Sequence, residues 1–299
     1  MTIFEAYNST KKKLESAGIK DYVFEAKQII MHITGFTPTQ ILTDYNKQLS
    51  QFQENNLTAL IHQRQVHYPL QYIFGTWEFY GRPFKVGVGV LIPRADTETV
   101  IEGAIEELKG KENPEILDLC AGSGCIGITL SQEIPTSKVT MVEKYDEAIR
   151  YAIDNIELNN VSNAKAVKGD VLDTPAFPKE KFDMIVSNPP YIPESEMKYC
   201  SPEVKFEPET ALLANDEGLE FYKAIIKNYT PCLKKGGKFC FEVGFKQSGA
   251  VSEILKANGF LDIKIKNDLN GIGRCVIGTK DNGGNENGKT PRKSTCPQS

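Results

Sequence analysis

The chain has 299 residues, of which 40% are hydrophobic and 25% are charged, a composition typical of a soluble globular protein with one or two domains. No stretch approaches the run of about 18 apolar residues that a membrane helix needs, and residues 1–18 lack the apolar core of a signal peptide. The formal net charge of −4 is not the basic surplus that nucleic-acid-binding proteins usually carry, and the seven cysteines form no closely spaced framework. We therefore expect a cytoplasmic protein with reduced thiols.

The first part of the chain is predicted to be helical. Residues 1–66 carry three stripes of apolar residues at helical spacing, with no strand pattern between them. Residues 67–95 are rich in aromatic and β-branched residues, glycine and proline, which predicts a connecting β-hairpin with its turn near Gly81-Arg82-Pro83.

Residues 96–280 alternate between predicted helices and strands. The strands are predicted at 115–119, 138–143, 163–169, 182–187, 238–243, 263–267 and 274–278, and helices at 97–108, 126–133, 146–159, 217–229 and 247–258. This alternation predicts a doubly wound α/β fold with a mostly parallel, seven-stranded sheet. The last two strands are too close for a helical crossover, so we expect an antiparallel hairpin. Residues 281–299 contain no core-forming run, and we expect a disordered tail.

A glycine-rich turn follows the first of these strands. The segment ILDLCAGSGCIG (116–127) would end a strand and begin a helix, so that its glycines and the free N–H groups of the helix can approach a ligand. Gly122, Gly124 and Gly127 have the spacing of the dinucleotide fingerprint. Taken alone, the turn suits NAD, S-adenosylmethionine or a tightly packed turn without a ligand.

Three acidic residues lie at the carboxyl ends of three consecutive predicted strands: Asp118, Glu143 and Asp170. They share the carboxyl edge of the sheet, where open α/β folds bind ligands. Glu143 suits a ribose diol, and Asp170 suits an adenine amino group, although a turn cap explains Asp170 equally well. Asp118 would sit poorly beside a pyrophosphate but suits the ammonium group of a sulfonium amino acid. These positions and the terminal hairpin favour S-adenosylmethionine over NAD.

The fourth strand ends in Asn188-Pro189-Pro190-Tyr191, beside the first strand in such a sheet. Methyl transfer is an in-line displacement at an activated methyl group, so an enzyme mainly positions the reactants. The Asn188 side-chain oxygen and the Pro189 carbonyl can accept both hydrogens of a planar NH2 group, and Tyr191 can stack on a flat group. No strong general base is needed before transfer. The motif indicates N-methylation of an amide or an adenine.

Six segments resemble the HemK-type protein-(glutamine-N5) methyltransferases, which modify peptide chain release factors. They are YPLQYIFGTWEFYGRPFKV (68–86), LIPRADTE (91–98), ILDLCAGSGCI (116–126), VSNPPYIP (186–193), VKFEPETAL (204–212) and GIGRCVIG (271–278). The resemblance extends from about residue 2 to residue 280. Adenine-N6 DNA methyltransferases share the Asn-Pro-Pro-Tyr motif but lack the segments at 91–98 and 204–212, so the combination favours glutamine.

The resemblance implies a Rossmann-like class I S-adenosylmethionine-dependent methyltransferase that modifies the Gly-Gly-Gln glutamine of release factors and supports translation termination. It implies that residues 1–66 recognise the release factor and that residues 188–191 hold the glutamine. Contacts to the cofactor are expected, together with Asp118, from Cys120, Ala121, Gly122, Ser123, Gly124, Glu143, Asp170, Val171 and Asn188.

Four further residues have two interpretations each. By the resemblance, Arg94 and Asp96 close over the methionine end of the cofactor, but they equally suit a salt-bridged helix start. Glu207 and Pro208 shape the active-site loop by the resemblance, and a purely structural role suits them equally well.

Two positions depart from the family pattern. Cys120 stands where family members often have glycine, and Ala95 where they often have proline. A cysteine at position 120 leads us to expect an ordinary, negative φ there. Gly122 and Gly124 are retained, so we still expect the turn to bind the cofactor.

Other functions suit parts of the sequence. The enzyme could modify a glutamine of another protein, such as a ribosomal protein, or a nucleic-acid adenine. The glycine spacing alone would suit an NAD-dependent oxidoreductase, and a non-catalytic binding module is a third alternative. Cys120 and Cys125 lack a second Cys/His pair at ligand spacing, so we expect no metal site. We expect surface or packing roles for the three histidines, no direct nucleic-acid binding, and a monomer.

Overall fold

The computed structural model describes residues 1–282. Residues 283–299, on which most of the expected disordered tail falls, lie outside the described residues. The helices within this range are α1 (Ile3–Ser16), α2 (Tyr22–Thr34), α3 (Pro38–Thr43), α4 (Gln51–Gln65), α5 (Leu70–Phe74), α6 (Glu98–Leu108), α7 (Cys125–Glu133), α8 (Asp146–Leu158), the single turn α9 (Asn215–Gly218), α10 (Glu220–Tyr229) and α11 (Ser248–Ala257). The strands are β1 (Thr76–Phe79), β2 (Arg82–Lys85), β3 (Glu115–Leu119), β4 (Lys138–Glu143), β5 (Ala164–Lys168), β6 (Phe182–Ser187), β7 (Leu233–Glu242), β8 (Phe260–Asn267) and β9 (Gly273–Lys280).

The first 66 residues are helical, as the apolar spacing predicts, and form four helices where the sequence showed three apolar stripes. Three of them begin with a capping box, in which a Thr or Ser side chain and a residue three positions later satisfy each other's backbone N–H groups; the caps are Thr2, Thr37 and Ser50. The apolar faces of α1, α2 and α4 enclose a core of their own that includes Leu14, Ile29 and Leu57. No helix between residues 1 and 282 is long and apolar enough to cross a membrane.

The segment 67–95 contains a short helix that its sequence did not predict. Helix α5 begins after Pro69 and ends just before Gly75, whose φ is +73°. The aromatic composition of this segment suggested a strand. In the structure the segment is helical, and Leu70 and Tyr72 are buried. The predicted hairpin follows as β1 and β2. Its turn lies at Tyr80-Gly81, one residue earlier than expected, because both residues adopt the positive φ that a two-residue hairpin turn requires.

The remaining strands form one sheet in the order β5-β4-β3-β6-β7-β9-β8. Every pair from β5 to β7 is parallel, whereas β9 pairs antiparallel with both β7 and β8. The predicted doubly wound sheet with an antiparallel terminal hairpin is confirmed. Strand β7 begins at Leu233, five residues before its predicted start, because Gly236 and Gly237 hide the strand pattern in the sequence.

The predicted helix 217–229 is shorter in the structure. Asp216 and Glu217 have left-handed backbone angles, and α10 begins only at Glu220. Beyond this break, α9 lies against the segment that follows β6, since a Cβ added to Gly218 would lie 2.2 Å from the Tyr191 carbonyl oxygen. The turn therefore belongs to the surroundings of the Asn-Pro-Pro-Tyr motif.

Candidate active site

One pocket lies over the carboxyl ends of β3, β4, β5 and β6. Its empty space, including the part open to solvent, is about 890 Å³. Most of the residues predicted to contact a cofactor line it together: Cys120, Ala121, Gly122, Ser123, Glu143, Asp170, Val171 and Asn188. Residues 89–91, 93, 210, 211 and 221 supply other walls of the pocket and were not predicted as cofactor contacts. Residues 91 and 93 belong to the segment 91–98 and residues 210 and 211 to the segment 204–212, both of which carry the family resemblance, whereas no sequence signal pointed to residues 89, 90 and 221.

The glycine turn joins β3 to α7. Ala121 N–H donates to the Val142 carbonyl at 3.1 Å, which ties the turn to the end of β4. Gly124, with a φ of +80°, immediately precedes α7. Cys120 has a φ of +58°, so the expectation of an ordinary backbone there was wrong. The turn keeps its left-handed geometry at this position even though the residue has a side chain.

Glu143 is held by the backbone around it. Its carboxylate accepts hydrogen bonds from the N–H groups of Gly122 (2.9 Å), Lys144 (2.7 Å) and Tyr145 (3.0 Å). The residue is buried except for 7% of its surface, yet it lines the pocket. A fixed carboxylate in this position has lone pairs left to accept hydrogen bonds from hydroxyl groups.

Asp170 both faces the pocket and caps a turn. It lines the pocket, and its Oδ1 also accepts from Leu172 N–H at 3.0 Å, as a turn cap does. Lys144 forms a salt bridge to its Oδ2 at 2.7 Å. Burial acts to raise the pKa of Asp170, but these hydrogen bonds outweigh it and hold the pKa below its usual range. Asp170 is therefore an ionised acceptor at neutral pH.

Asp118 lies elsewhere than predicted. It has no exposed surface and is not part of the pocket lining. Its Oδ2 accepts from Gly127 N–H at 2.9 Å, whereas Oδ1 has no hydrogen-bond partner within residues 1–282. Burial raises its pKa to about 8. Helix α7 lies close to Met141 of β4 at Gly127, because glycine has no Cβ. A Cβ at this position would lie 2.5 Å from Met141 Cγ. Asp118 thus lies beneath the helix start as a largely neutral carboxyl group.

The Asn-Pro-Pro-Tyr motif follows β6 directly. Asn188 and Pro190 line the pocket, and Pro189 is buried. Tyr191 lines a neighbouring groove instead, together with Gly244 and other residues. Burial raises the pKa of its hydroxyl above the usual range, so the ring remains neutral. The motif therefore lies between the pocket and a second, more open depression.

Of the four residues with two interpretations, three form ion pairs and the fourth, Pro208, lines the pocket. Arg94 pairs with the buried Glu207, whose other oxygen accepts from Ile92 N–H at 3.0 Å. Asp96 pairs with Arg274 at 3.0 Å. None of the residues in these ion pairs lines the pocket, whereas Pro208 does. Arg94 and Glu207 thus tie the loop after β6 to the segment before α6.

The histidines make packing and surface contacts. His32 stacks on Phe74 with ring centroids 4.3 Å apart, and His67 Nδ1 lies 3.2 Å from Glu203 Oε1. No group of three or more His, Cys, Asp or Glu side chains that could hold a metal ion occurs in residues 1–282.

The pocket fits S-adenosylmethionine in its chemistry. The Glu143 carboxylate can accept from ribose hydroxyls, Asp170 can accept from an adenine amino group, and Val171 and Pro190 supply apolar walls. The fold and this site define a class I S-adenosylmethionine-dependent methyltransferase. In agreement, the family model described as "Methyltransferase small domain" matches residues 101–205.

Similarity to known proteins identifies the family within this class of methyltransferases. The "PrmC N-terminal domain" model matches residues 5–75. The chain is 36% identical to the release factor glutamine methyltransferase of Fusobacterium nucleatum, over 92% of this chain and 78% of that protein. It is also 36% identical to the enzyme of the same name from Clostridium botulinum, over 93% of this chain and 98% of that protein. The chain belongs to the release factor glutamine methyltransferase family.

One solved structure of a similar protein is the release factor-specific protein-(glutamine-N5) methyltransferase of Alicyclobacillus acidocaldarius. It is 27% identical, and the match covers 66% of this chain and 99% of that chain with a TM-score of 0.40.

Proposed function

We propose that this protein methylates the side-chain amide nitrogen of the glutamine in the Gly-Gly-Gln motif of peptide chain release factors, in the cytoplasm, and so supports translation termination. The observation that carries the proposal is the position of Asn188 and Pro190 at the inner wall of the pocket, with Tyr191 in the adjoining groove. The names of the curated relatives supply the class of substrate.

The residues of the motif position the acceptor amide. When bound, S-adenosylmethionine supplies a methyl group activated by a positively charged sulfur. Asn188 Oδ1 and the Pro189 carbonyl accept the two hydrogens of the glutamine NH2 group, which holds its nitrogen in one place and favours the positive charge that develops on it. The nitrogen loses its extra proton to water after transfer, so no side chain has to act as a strong base. Tyr191 offers its ring to the flat amide.

The helical unit of residues 1–66 recognises the release factor in this proposal, and residues 67–95 connect it to the methyltransferase unit. Large apolar side chains on its surface suit a protein partner: Phe4 is 58% exposed, Leu42 72% and Phe52 73%. The net charge of −4 gives no general attraction to nucleic acid. We propose that the enzyme acts as a monomer.

Labelled S-adenosylmethionine tests the proposal directly. The protein is incubated with a purified release factor, with the same factor carrying Gln→Ala in the Gly-Gly-Gln motif, with ribosomal proteins and with DNA. We expect label only in the unmodified release factor, and mass spectrometry of its peptides should place one methyl group on that glutamine. Label in DNA or in a ribosomal protein, with none in the release factor, would show a different substrate.

A further inference from the structure

Two buried side chains lie behind Asn188, and the mechanism above uses neither. Thr97 immediately precedes α6, and Glu242 ends β7; each is only 1% exposed. Thr97 Oγ1 donates a hydrogen bond to Glu242 Oε2 at 2.5 Å. Asn188 Nδ2 lies 3.5 Å from the same Thr97 oxygen. The three side chains therefore form a short chain that ends at the amide predicted to hold the substrate.

The direction of each hydrogen bond in this chain follows from the number of hydrogens available. A hydroxyl has one hydrogen to donate, and an ionised carboxylate can only accept. Once Thr97 gives its hydrogen to Glu242, its oxygen can only accept, so Asn188 must turn its NH2 group toward Thr97. The Oδ1 atom, on the other side of the amide carbon, is then left for the pocket that Asn188 lines.

We infer that Glu242, acting through the Thr97 hydroxyl, is a positioning residue that sets which way the Asn188 amide faces. The inference rests on the proposed function, because an amide that presents oxygen accepts the hydrogens of a substrate NH2 group, and one that presents NH2 cannot. Protonation of Glu242 reverses the direction of these hydrogen bonds. Its O–H then donates to Thr97, whose own hydrogen is free to donate to Asn188 Oδ1.

Glu242 is placed to change protonation near neutral pH. Burial raises its pKa to about 7, although the hydrogen bond from Thr97 and the charges of Arg274 and Arg94 act to lower it. The Asp96 carboxylate acts to raise it. Three more titratable groups interact electrostatically with Glu242: Cys125, Tyr191 and Tyr222. Burial raises the pKa of each of them, so all three are uncharged at pH 7. Glu242 is thus an anion above pH 7 and neutral below it.

Kinetics of three variants test the inference. Thr97→Val keeps the shape but removes the hydroxyl, and we expect kcat to fall about tenfold or more with the KM for S-adenosylmethionine changed less than about twofold. Thr97→Ser restores the hydroxyl and should recover most of kcat. With a single group of pKa near 7, the kcat of the wild type should rise about tenfold from pH 6 to pH 8. Glu242→Gln should remove this rise.

Thermal unfolding without cofactor or substrate gives a second measurement. The pKa of Glu242 is raised in the folded protein from an ordinary value of 4.5, so the folded state binds more protons between pH 4.5 and pH 7. The stabilisation that Glu242 contributes is therefore lost as pH rises through 7. We expect the Tm of the wild type to fall relative to that of Glu242→Gln between pH 5 and pH 8.

The outcomes separate the two proposals. A wild-type protein that never labels the release factor overturns the proposed function. An active wild type combined with a normal kcat for Thr97→Val overturns only the inference. The inference also fails if Thr97→Ser is as slow as Thr97→Val, since the loss would then come from packing, or if Glu242→Gln keeps the pH dependence of kcat.

Discussion

At the scale of single residues, Cys120 bears backbone strain at the pocket. Its φ of +58° lies in the left-handed region, where the Cβ of an L-residue costs roughly 1–2 kcal/mol. The side chain is partly buried and packs against the main core on one face of the sheet. Strained residues persist where the surrounding structure determines them, and here the turn is fixed by the Ala121–Val142 hydrogen bond.

Two substitutions at this position separate the strain from the contacts of the sulfur. Cys120→Gly and Cys120→Ala both remove Sγ, but only glycine also removes the Cβ. We expect the free energy of unfolding of Cys120→Gly to exceed that of Cys120→Ala by about 1 kcal/mol in urea titrations. Ala121→Gly, at a neighbouring residue without a positive φ, should instead lose about 0.5–1 kcal/mol. If Cys120→Ala were as stable as Cys120→Gly, the backbone at residue 120 would not be strained.

In the proposed mechanism, Asn188 is the residue on which transfer depends most directly. Asn188→Ala removes the side-chain oxygen that accepts from the substrate, and we expect methyl transfer to fall by at least about 100-fold. Glu143, Asp170 and the glycine turn remain, so the affinity for S-adenosylmethionine should change only a few-fold. Labelling assays and calorimetric titration of the cofactor measure the two effects separately. Near-normal turnover in this variant would remove Asn188 from the mechanism.

At the scale of elements, the turn α9 holds the Asn-Pro-Pro-Tyr segment from behind. Gly218 has a φ of +84°, and a Cβ placed there would lie 2.2 Å from the Tyr191 carbonyl oxygen. Gln247, just before α11, donates from Nε2 to the same oxygen at 3.0 Å. Because the clash would be with backbone, a side-chain rotation cannot relieve it. Tyr191 is thus positioned by two elements that are distant from it in sequence.

Alanine at Gly218 should therefore damage both stability and activity. We expect Gly218→Ala to lose about 2 kcal/mol or more of unfolding free energy, and to slow transfer because Tyr191 is displaced. Gly249 is a matched control in α11, where an added Cβ would meet nothing within 4 Å. Gly249→Ala should gain about 0.5 kcal/mol and leave transfer unchanged. Equal effects of the two substitutions in urea titrations and labelling assays would contradict this role of Gly218.

At the scale of the whole molecule, a cluster of ion pairs around the buried Arg64 joins the helical unit to the segment after the Asn-Pro-Pro-Tyr motif. Arg64 of α4 is 4% exposed in its side chain and pairs with Glu25 of α2 at 2.6 Å. The same guanidinium donates to Glu203 Oε1 at 2.8 Å, and His67 also contacts Glu203. Burial acts to raise the pKa of Glu203, but the hydrogen bonds, chiefly from Arg64, outweigh it and lower the pKa to about 2. The cluster thus couples the helical unit to the active-site loop.

Glu203→Gln tests this connection. We expect it to lose about 1–2 kcal/mol of unfolding free energy at pH 7, since Arg64 keeps its charge but loses one anionic partner. Glu253→Gln, in the exposed pair with Lys256, should change stability by less than about 0.5 kcal/mol. Because the pKa of Glu203 is lowered from 4.5, its contribution is complete above pH 4.5 and is lost as pH falls toward 2. If the wild type were still more stable than Glu203→Gln by the same free energy of unfolding at pH 2, the ion pair would be contradicted.

Sequence patterns predicted most elements of the sheet and its helices, since apolar period and turn residues act over a few neighbours. The errors have local causes as well. Helix α5 has the aromatic composition of a strand, and Gly236 and Gly237 obscure the beginning of β7. The pocket-lining residues of the glycine turn and the strand ends were predicted because the carboxyl edge of a parallel sheet gathers them.

The sequence by itself determined the order of the elements, the acids at the strand ends and the resemblance to a methyltransferase family. Only the tertiary structure decided that Asp118 lies beneath α7 and that Cys120 adopts a left-handed backbone. It also brought Thr97 to Glu242 across 145 residues and to Asn188 across 91. The physical reason is that burial and hydrogen-bond direction depend on side chains that meet only after the sheet has assembled.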